Sequence, residues 1–386
     1  MNVSKNKVIL AVAGSGKTTQ LAKEALLKIS NNEKRVLILT YTLNGIQCIK
    51  NAIKELNMGI LDDRIDIMSW YSFLLNECVL PYQKDFDINL KIRGILFTNE
   101  TPKDARGNPV YMYEKKSSLK RYITKSGKAY SDNLSDFLLQ INAKDNGLYI
   151  KRLSDVYSDI FIDEVQDLNG EDLIILEDLL KSNIKIYLIG DHRQATFNTH
   201  FTQKFKQFNG SNIKSKFKIW ETMSLLNIEE KTECHRSIQE ICDFANMLYP
   251  NEPEAKSCYE KQTILDGVYL LLEKDIKTFI DKFDPFILRW NNKRDTLGFS
   301  ATNYGESKAL TKERILIFPT KPFLDFYLNN KKIENDVSKY YVAVTRARQS
   351  ICIVVNKFVD RDYLEDFNIH GIQLKKFNME KRKNIK

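Results

Sequence analysis

Short apolar runs alternate with stretches of helical periodicity along most of this 386-residue chain. A first series of strand-like runs lies at residues 8–12, 36–40, 65–68, 160–163 and 184–190. A second series lies at residues 268–272, 286–289, 299–302, 315–318 and 351–355. Because this alternation is typical of parallel sheets with helices on both faces, we predict an α/β fold with two parallel-sheet domains in tandem.

The segment of residues 82–134 departs from this alternation. Its turn-rich sequence, which includes Gly107, Pro109 and Gly127, predicts a small, partly irregular insertion in the first domain. The predicted organisation is a first domain over residues 1–81 and 135–218, the insertion over 82–134, a second domain over 219–374 and a basic tail over 375–386. We expect this tail to be frayed and solvated.

Residues 11–18 read AVAGSGKT and follow the first strand-like run, directly before a helical pattern. A phosphate-binding loop requires this context, although the strict pattern has glycine at Ala11. Gly14 and Gly16 let backbone N–H groups surround an anion, and Lys17 can reach the terminal phosphates of a nucleotide such as ATP. Thr18 is placed to hold Mg²⁺. The alternative is a plain strand-to-helix turn, which Lys17 and Thr18 argue against. The candidate nucleotide-binding residues are Ala13, Gly14, Ser15, Gly16, Lys17, Thr18 and Thr19.

Two adjacent carboxylates directly follow DIFI at residues 159–162, a short sequence with the pattern of a buried strand. They are Asp163 and Glu164, at the carboxyl end of a predicted strand, where parallel α/β sheets place their ligand sites. Asp163 is the expected Mg²⁺ ligand and Glu164 the group that orients and deprotonates an attacking water. The alternative is an acidic helix N-terminus, which the helix dipole would favour.

The chain has 59 Lys and Arg residues against 50 Asp and Glu, for a formal net charge of +9. This uneven excess of cations favours a polyanionic partner, and nucleic acid is the simplest choice. The six cysteines form no Cys-x-x-Cys pair, and Cys234 with His235 lacks zinc-ligand spacing, so we expect reduced thiols there. No apolar run has the length of a membrane span or a signal region, so we expect a cytoplasmic protein without a membrane partner.

Cations and aromatic rings are interleaved in the predicted insertion. Such a mixture is typical of a single-strand groove, because cations contact phosphates and rings stack on bases. The alternative is a solvated basic face. The residues concerned are Lys103, Arg106, Lys115, Lys116, Lys120, Arg121, Lys125 and Lys128, with Tyr111, Tyr113, Tyr122 and Tyr130 between them.

Further short motifs follow the two nucleotide motifs in chain order. They are LTYTLN at residues 39–44, GDHRQ at 190–194, CHRS at 234–237, SKAL at 307–310 and YVAVTRAR at 341–348. In that order the chain resembles UvrD/Rep-like superfamily 1 helicases. The resemblance implies two RecA-like domains with ATP in the cleft between them and single-stranded DNA across their top. As a short form of this family, the chain is similar to the UvrD-like subunit of Gabija-type anti-phage systems.

The resemblance assigns roles to three residues beyond the first two motifs. Gln194 resembles the residue that senses the γ-phosphate, and Arg236 and Arg346 resemble the two arginines offered by the second domain. Guanidinium groups at this position stabilise the charge that spreads over the transferring phosphoryl group. For Arg346 or Arg348 the alternative is a surface salt bridge. The expected catalytic residues are Lys17, Asp163, Glu164, Gln194, Arg236 and Arg346.

Several positions depart from the family pattern. His235 stands where the family has a tyrosine that stacks on adenine, and residues 1–7 lack the family's upstream glutamine. Lys308, a candidate nucleotide contact, begins KALT where the family has Lys-Gly-Leu-Glu. Thr199 replaces a usual tryptophan, which predicts a weaker grip on the strand.

The expected nucleic-acid contacts come from both core motifs and the insertion. Tyr41 is favoured as a contact, whereas the nearby Trp70 is favoured as a core residue. The span from Arg236 to Ser307 is too short for the large second insertion of the family. The candidate contacts are Tyr41, Thr42, Asn44, Phe197, Lys115, Lys116, Lys120 and Arg121.

The motifs leave more than one function open. The first is an ATP-dependent translocase or helicase on single-stranded DNA. The second is a regulatory ATPase that senses DNA or nucleotide within a larger complex, with a nuclease or other subunit as partner; the short second insertion and the altered KALT motif favour it. The third, a binding module with an inactive ATP site, is disfavoured because Lys17, Asp163 and Glu164 are intact.

Overall fold

The computed structural model describes residues 5–97, 103–145, 147–197 and 204–383. These residues form two compact units. The first comprises the described residues up to Leu10, Lys17–His192 and the described part of Phe197–Glu229. The second comprises Ala11–Gly16, Arg193–Thr196 and the chain from Glu230 onward. The predicted phosphate loop and the segment around Gln194 therefore pack with the second unit.

The first sheet has six strands in the order β3-β2-β6-β7-β1-β8. The neighbours from β3 through β1 in this order run parallel. Strand β2 is buried on both faces, since residues 36–39 have no exposed surface, as expected for a central strand covered by helices. The strands in this part of the chain are β1 Lys7–Ala11, β2 Arg35–Thr40, β3 Ile65–Ser69, β4 Gly94–Leu96, β5 Lys128–Tyr130, β6 Tyr157–Ile162, β7 Lys185–Gly190 and β8 Asn227–Lys231.

Helices of the first unit pack an apolar stripe against this sheet. In the helix after β1, Leu21, Ala25 and Ile29 are buried at intervals of four residues, the spacing of one helical face. The helix after β2 is capped by the Thr42 side chain, which accepts a 3.0 Å hydrogen bond from the Gly45 N–H. The helices are α1 Lys17–Asn31, α2 Leu43–Leu56, α3 Trp70–Phe73, α4 Gln83–Phe86, α5 Leu134–Asp145, α6 Leu148–Val156, α7 Asp172–Lys181 and α8 Ile213–Thr222, with a π-helical turn at Leu74–Val79.

The predicted insertion is irregular but firmly attached to the first unit. Its only strands among the described residues, β4 and β5, pair in parallel. Ile92, Tyr122 and Ala129 belong to the same buried cluster as Leu37 and Leu39 of the central strand β2. The segment is therefore part of the first core.

The second sheet has seven strands in the order β13-β12-β14-β15-β11-β17-β16. The strands from β13 through β11 in this order run parallel, whereas β17 runs antiparallel to both β11 and β16. The strands and helices are β9 Glu233–Cys234, α9 Gln239–Asn246, β10 Lys256–Ser257, β11 Gly267–Leu272, α10 Ile276–Phe283, β12 Phe286–Arg289, β13 Thr302–Asn303, β14 Lys312–Phe318, α11 Lys321–Asn329, α12 Val337–Val344, β15 Ala347–Val355, β16 Leu364–Ile369, β17 Ile372–Phe377 and α13 Met379–Lys383.

The predicted basic tail is folded in its described part, contrary to expectation. Lys375 and Lys376 lie in β17, where they form ion pairs with Asp366 at 3.0 Å and Glu240 at 3.1 Å. Arg382 in α13 is 3% exposed and donates a 3.0 Å hydrogen bond from Nε to the carbonyl of Tyr327. The basic side chains of the described part of this run have local partners, so that part is not a solvated end.

The observed architecture confirms the predicted α/β class with two RecA-like parallel-sheet domains in tandem. The predicted strand at residues 299–302 is wrong except at Thr302, because only Thr302–Asn303 pairs at the edge of the second sheet. Edge strands are often this short. Within the described ranges, no helix has both the length and the apolar character of a membrane span.

Candidate nucleotide and nucleic-acid sites

The phosphate loop has the backbone shape that anion binding needs. Gly14 and Gly16 have φ angles of +78° and +77°, in the left-handed region that favours glycine. A Cβ added at Gly16 would meet no atom within 4 Å, so this side of the loop is open. The hydroxyl oxygen of Ser15 is buried and has no hydrogen-bond partner among the described residues. A phosphate oxygen would supply that partner, so the loop fits a nucleotide phosphate.

Within the second unit, the loop packs against the CHRS segment. The His235 N–H donates a 2.9 Å hydrogen bond to the Gly14 carbonyl. A Cβ at Gly14 would lie 2.5 Å from Cβ of Arg236, closer than real side chains pack. Arg236 in turn donates from Nη1 to the Thr345 carbonyl at 2.9 Å. The structure therefore brings together Gly14, His235 and Arg236, which the sequence predicted as parts of one site.

The acid pair lies directly after β6 in the first unit. The Asp163 N–H donates to the Leu39 carbonyl at 2.8 Å, and its Oδ1 accepts from the Glu164 N–H at 2.9 Å. Glu164 has a φ of +55°, and the next α-helix begins only at Asp172. The alternative of an acidic helix N-terminus holds only for a single 3₁₀ turn, Val165–Asp167, which has Glu164 at its N-cap without a side-chain cap bond.

Gln166 holds the Glu164 carboxylate, a role that the motif alone did not indicate. Its Nε2 donates a short hydrogen bond to Oε2 of Glu164, and its Oε1 accepts from the Asp191 N–H at 3.1 Å. A Cβ at Gly190 would lie 2.2 Å from this Oε1, so a larger residue there would displace the Gln166 amide. Gln166 thus joins the end of β6 to the end of β7.

Arg346 is buried and fully engaged within the second unit. It is 1% exposed, which excludes the surface salt bridge considered as an alternative. Its Nη2 donates to Oε1 of Gln194 at 2.9 Å and to Oγ1 of Thr345 at 3.0 Å. Further bonds go to the carbonyls of Val342 and Leu310, at 2.9 Å and 3.2 Å. The structure therefore brings together Gln194, the predicted γ-phosphate sensor, and Arg346, one of the two arginines predicted to stabilise the transferring phosphoryl group.

The altered KALT motif, residues 308–311, lies beside this arginine. Lys308 is half-buried, and its neighbour Ala309 has a φ of +69°, a conformation that costs an alanine about 1–2 kcal/mol relative to glycine. The family has glycine at this position. The Leu310 carbonyl that follows accepts from Arg346, so the strained turn shapes the surroundings of that guanidinium.

A row of aromatic rings lies in the first unit beside the predicted DNA contacts. The ring centroids of Tyr41 lie 5.7 Å from Tyr71 and 6.3 Å from Phe197, and Tyr71 lies 5.7 Å from Phe97. Phe97 is 48% exposed and Phe197 is 38% exposed. Sequence reasoning missed Phe97, since a single exposed phenylalanine in an irregular segment carries no pattern. Trp70 is buried, as expected.

The other core contacts are at the start of α2. Asn44 is exposed, whereas the Thr42 hydroxyl caps the helix. Phe197 is the last described residue before the gap at 198–203, so Thr199 lies outside the described residues.

The insertion differs from the predicted groove. Lys116 and Arg121 form ion pairs with Asp136, at 2.7 Å and 3.4 Å. Asp136 is itself buried, and a buried carboxylate needs such cations. Lys115 and Lys120 are exposed. Only Tyr113 among the four interleaved tyrosines is exposed, because the others pack inward; the buried ones are Tyr111, Tyr122 and Tyr130.

The candidate Mg²⁺ ligands are two oxygen donors, a hydroxyl and a carboxylate. Thr18 lies in the first turn of α1, and Asp163 is 8% exposed at the end of β6. Mg²⁺ at phosphates takes few protein ligands, with water and phosphate oxygens completing the shell. These donors fit that chemistry, and among the described residues no larger metal-binding group of His, Cys, Asp and Glu occurs.

These features define a P-loop protein of the helicase-like kind. Residues 2–199 match the family described as AAA domain, and the chain belongs to that family. It is 25% identical over 290 residues to Gabija protein GajB of Bacillus cereus (strain VD045), covering 72% of this chain and 53% of that protein. The chain thus spans about half the length of this curated relative. The predicted resemblance to UvrD-like helicases, including the Gabija-type form, is confirmed.

Solved helicase structures are also similar to this chain. Arterivirus nonstructural protein 10 (helicase) with DNA is 13% identical with a TM-score of 0.45, covering 91% of this chain and 61% of that one. PRRSV nsp10 (helicase) is 15% identical with a TM-score of 0.21, covering 92% and 55%.

Proposed function

We propose that this chain hydrolyses ATP with Mg²⁺ and uses the reaction to move along single-stranded DNA. The observation that carries this proposal is the phosphate loop, with Gly14 and Gly16 in the left-handed region and a buried Ser15 hydroxyl available for a phosphate oxygen. Helix α1 begins at Lys17, so its N-terminal N–H groups and partial positive charge add to the attraction for phosphate.

Each predicted site residue has a role in this proposal. Lys17 binds the terminal phosphates, and Thr18 and Asp163 hold Mg²⁺, which neutralises phosphate charge when bound. Glu164 orients and deprotonates the attacking water, and its hydrogen bond from Gln166 fixes the carboxylate. His235 and Lys308 serve as contacts to the nucleotide.

Two arginines and a glutamine complete the proposed chemistry. Arg236 and Arg346 stabilise the charge that develops on the transferring phosphoryl group, and Gln194 responds to the γ-phosphate. The buried hydrogen bond between Gln194 and Arg346 supports this proposal, since it makes the two groups move together. Turnover should depend on these residues more than nucleotide affinity does.

The aromatic row and the exposed cations supply the proposed contacts to single-stranded DNA. Tyr41 and Phe197 offer rings for bases, and Asn44, Lys115 and Lys120 are exposed for phosphates and sugars. Stacking of this kind accepts any base, so it suits sequence-independent movement.

A regulatory ATPase is the second candidate, and the insertion favours it. Its inward-facing tyrosines and the ion pairs of Lys116 and Arg121 with Asp136 leave less of the chain for gripping a strand. In that case the chain senses DNA or nucleotide within a larger complex, and a nuclease or other subunit acts on the DNA.

Displacement of streptavidin from a biotinylated end of single-stranded DNA separates the two candidates. A translocase removes streptavidin in an ATP-dependent reaction, with hydrolysis that rises strongly when single-stranded DNA is added. DNA-stimulated hydrolysis without displacement would support the regulator instead. Duplex DNA and RNA in parallel reactions define the preferred nucleic acid. Hydrolysis that no nucleic acid stimulates would contradict the translocase and the DNA-sensing regulator, and would leave only a regulator that senses nucleotide.

A further inference from the structure

A lysine-rich segment of the first unit contains no acidic residue. Residues 204–220 carry five lysines and neither Asp nor Glu. The next acid along the chain, Glu221, accepts a hydrogen bond from the Ile228 N–H at 3.0 Å, so its carboxylate has a partner in the backbone. The segment therefore has a local excess of positive charge. The lysines are Lys204, Lys206, Lys214, Lys216 and Lys218.

Lys216 anchors this segment to the body of the first unit. It is 9% exposed, and its Nζ lies 3.1 Å from Oε2 of Glu177 in α7. The same Nζ lies 5.7 Å and 5.9 Å from the ring centroids of Phe205 and Phe208, within the range of cation–π attraction. Because Lys216 belongs to α8, these contacts fix the start of the segment against that helix.

Lys206 and Lys218 lie on the solvent side of the anchored segment, and both are exposed. Lys218 is two residues from the buried Trp220, a separation of about 200° around a helix, so the two side chains lie on opposite faces of α8. Lys214 lies one turn before Lys218, on the same face. The fold therefore presents these ammonium groups on a fixed backbone.

This surface lies at the edge of the first sheet that carries the proposed DNA contacts. Gly210–Asn212 lies beside the turn Val165–Asp167, which follows the acid pair at the carboxyl end of β6. Tyr41 directly follows β2, the parallel neighbour of β6, so it comes from the same edge. Phe197 and Lys204 are seven residues apart, which limits their separation to about 25 Å.

We propose that Lys206 and Lys218 bind backbone phosphates of the DNA strand whose bases stack on Tyr41 and Phe197. The inference rests on the proposed function and extends the path of the strand beyond the aromatic row. Phosphate contacts carry no sequence information, so they suit the same sequence-independent binding as the rings. An acidic protein would also be attracted by this charge. Nucleic acid is favoured because a single-strand groove combines cations with aromatic rings, and this edge carries both.

Titrations of the whole purified chain with oligothymidylate, without ATP, test the proposal. An oligonucleotide of about 16 nucleotides is long enough to cover a typical single-strand site. The slope of log K against log salt concentration falls by about 0.7 for each phosphate contact that is lost. We expect Lys206→Ala and Lys218→Ala each to reduce the slope by about 0.7, and the double variant to reduce it by about 1.4.

Two lysine variants serve as matched controls. Lys54 is exposed near the end of α2, where the chain returns to the start of β3, at the opposite edge of the sheet. Lys54→Ala should therefore keep the wild-type slope. Lys216→Met removes the buried lysine of the same segment, so it should lower Tm through the lost ion pair with Glu177 and leave the slope unchanged.

Wild-type slopes in both Lys206→Ala and Lys218→Ala would overturn the proposal and favour an acidic protein as the partner. An equal fall in Lys54→Ala would also overturn it, because the effect would then follow net charge and not this surface. The slope requires no hydrolysis, so the two proposals fail separately. A chain that binds DNA through these lysines without hydrolysing ATP would refute the proposed function and support the contacts. DNA-stimulated hydrolysis with unchanged slopes in the variants would refute the contacts alone.

Discussion

Arg346 donates a hydrogen bond from Nη2 to Oε1 of Gln194 at 2.9 Å, with the guanidinium almost wholly buried. In the proposed mechanism both residues act on the γ-phosphate, so replacing one of them should alter the position of the other. The bond makes them a coupled pair rather than two separate contacts.

Replacement of Arg346 should reveal this coupling. We expect Arg346→Ala to lower kcat by about 10³-fold or more, with a smaller fall for Gln194→Ala and little further loss in the double variant. Kinetics of the two single variants and the double variant measure the coupling, which is about 0.5–3 kcal/mol for residues in contact. Urea unfolding of each variant monitors the stability that a buried guanidinium contributes.

Arg348 provides the control for that cycle. Its side chain is 43% exposed and pairs with Glu313 at 3.4 Å, so Arg348→Ala should change kcat little. Equal losses for Arg346→Ala and Arg348→Ala, or fully additive effects of the first two changes, would refute a specific role for the buried pair.

Glu164 and Gln166 should affect turnover in different ways. Glu164→Gln is expected to retain ATP binding and DNA binding while kcat falls about 10²–10⁴-fold, since the general base is lost. Gln166→Ala leaves the Glu164 base in place but removes the hydrogen bond that orients its carboxylate, so kcat should fall less than in Glu164→Gln. Single-turnover hydrolysis checks both, with Gln47→Ala, on the exposed face of α2, as the control. Unchanged turnover in Glu164→Gln would remove it as the base.

The four cations of the insertion that are candidate DNA contacts should separate into two classes. Lys115 and Lys120 are exposed, whereas Arg121 and the equally exposed Lys116 form ion pairs with Asp136. Because each phosphate contact contributes about 0.7 to the salt slope for single strands, Lys115→Ala and Lys120→Ala should each reduce the slope by about that amount. Lys116→Ala should mainly lower the free energy of unfolding. DNA titrations at several salt concentrations measure this slope. Identical slopes in the wild type and all variants would exclude the insertion as a DNA-binding surface.

Glu177 should give stability a dependence on acidic pH. Burial alone would raise the pKa of this carboxyl, but hydrogen bonds from Lys181, Trp220 and Lys216 outweigh it and hold the pKa at about 2, below the usual 4.5. Since the folded pKa is depressed, the stabilisation is complete above pH 4.5 and is lost as pH falls toward 2.

The measurement compares the free energies of unfolding of wild type and Glu177→Gln. At pH 7 the variant should be less stable by about 2 kcal/mol, and at pH 3 the difference should be smaller. Glu313→Gln, in an exposed pair, should show little difference at either pH. A gap for Glu177→Gln that stays constant between pH 7 and pH 3 would contradict the assignment.

The sequence predicts the parallel strands and the phosphate loop well, because apolar runs and glycine spacing report local structure directly. Strand Phe286–Arg289 has the predicted bounds, and β1 and β2 differ by a residue. Burial of individual polar residues is harder to predict, since it depends on residues distant in sequence. Lys116 forms an ion pair with Asp136, and Tyr122 donates a hydrogen bond to the same carboxylate at 3.2 Å. Some of the cations and tyrosines whose composition indicated a DNA groove therefore bind a buried carboxylate instead.

In the candidate site as well, local motifs are predictable from the sequence, whereas contacts between distant segments are not. The motif predicted Asp163 and Glu164, but the support from Gln166 depends on β7 lying beside β6. The tail was misjudged because a run of lysines conceals the alternation of Ile372 and Leu374, which are buried in an antiparallel strand.

The most direct test of the central claim is steady-state ATP hydrolysis by the wild type and by Lys17→Ala, with and without single-stranded DNA. We predict wild-type hydrolysis that rises strongly with DNA, and a Lys17→Ala variant that is folded but inactive in both conditions. Hydrolysis by Lys17→Ala at the wild-type rate, or wild-type hydrolysis indifferent to DNA, would contradict the account.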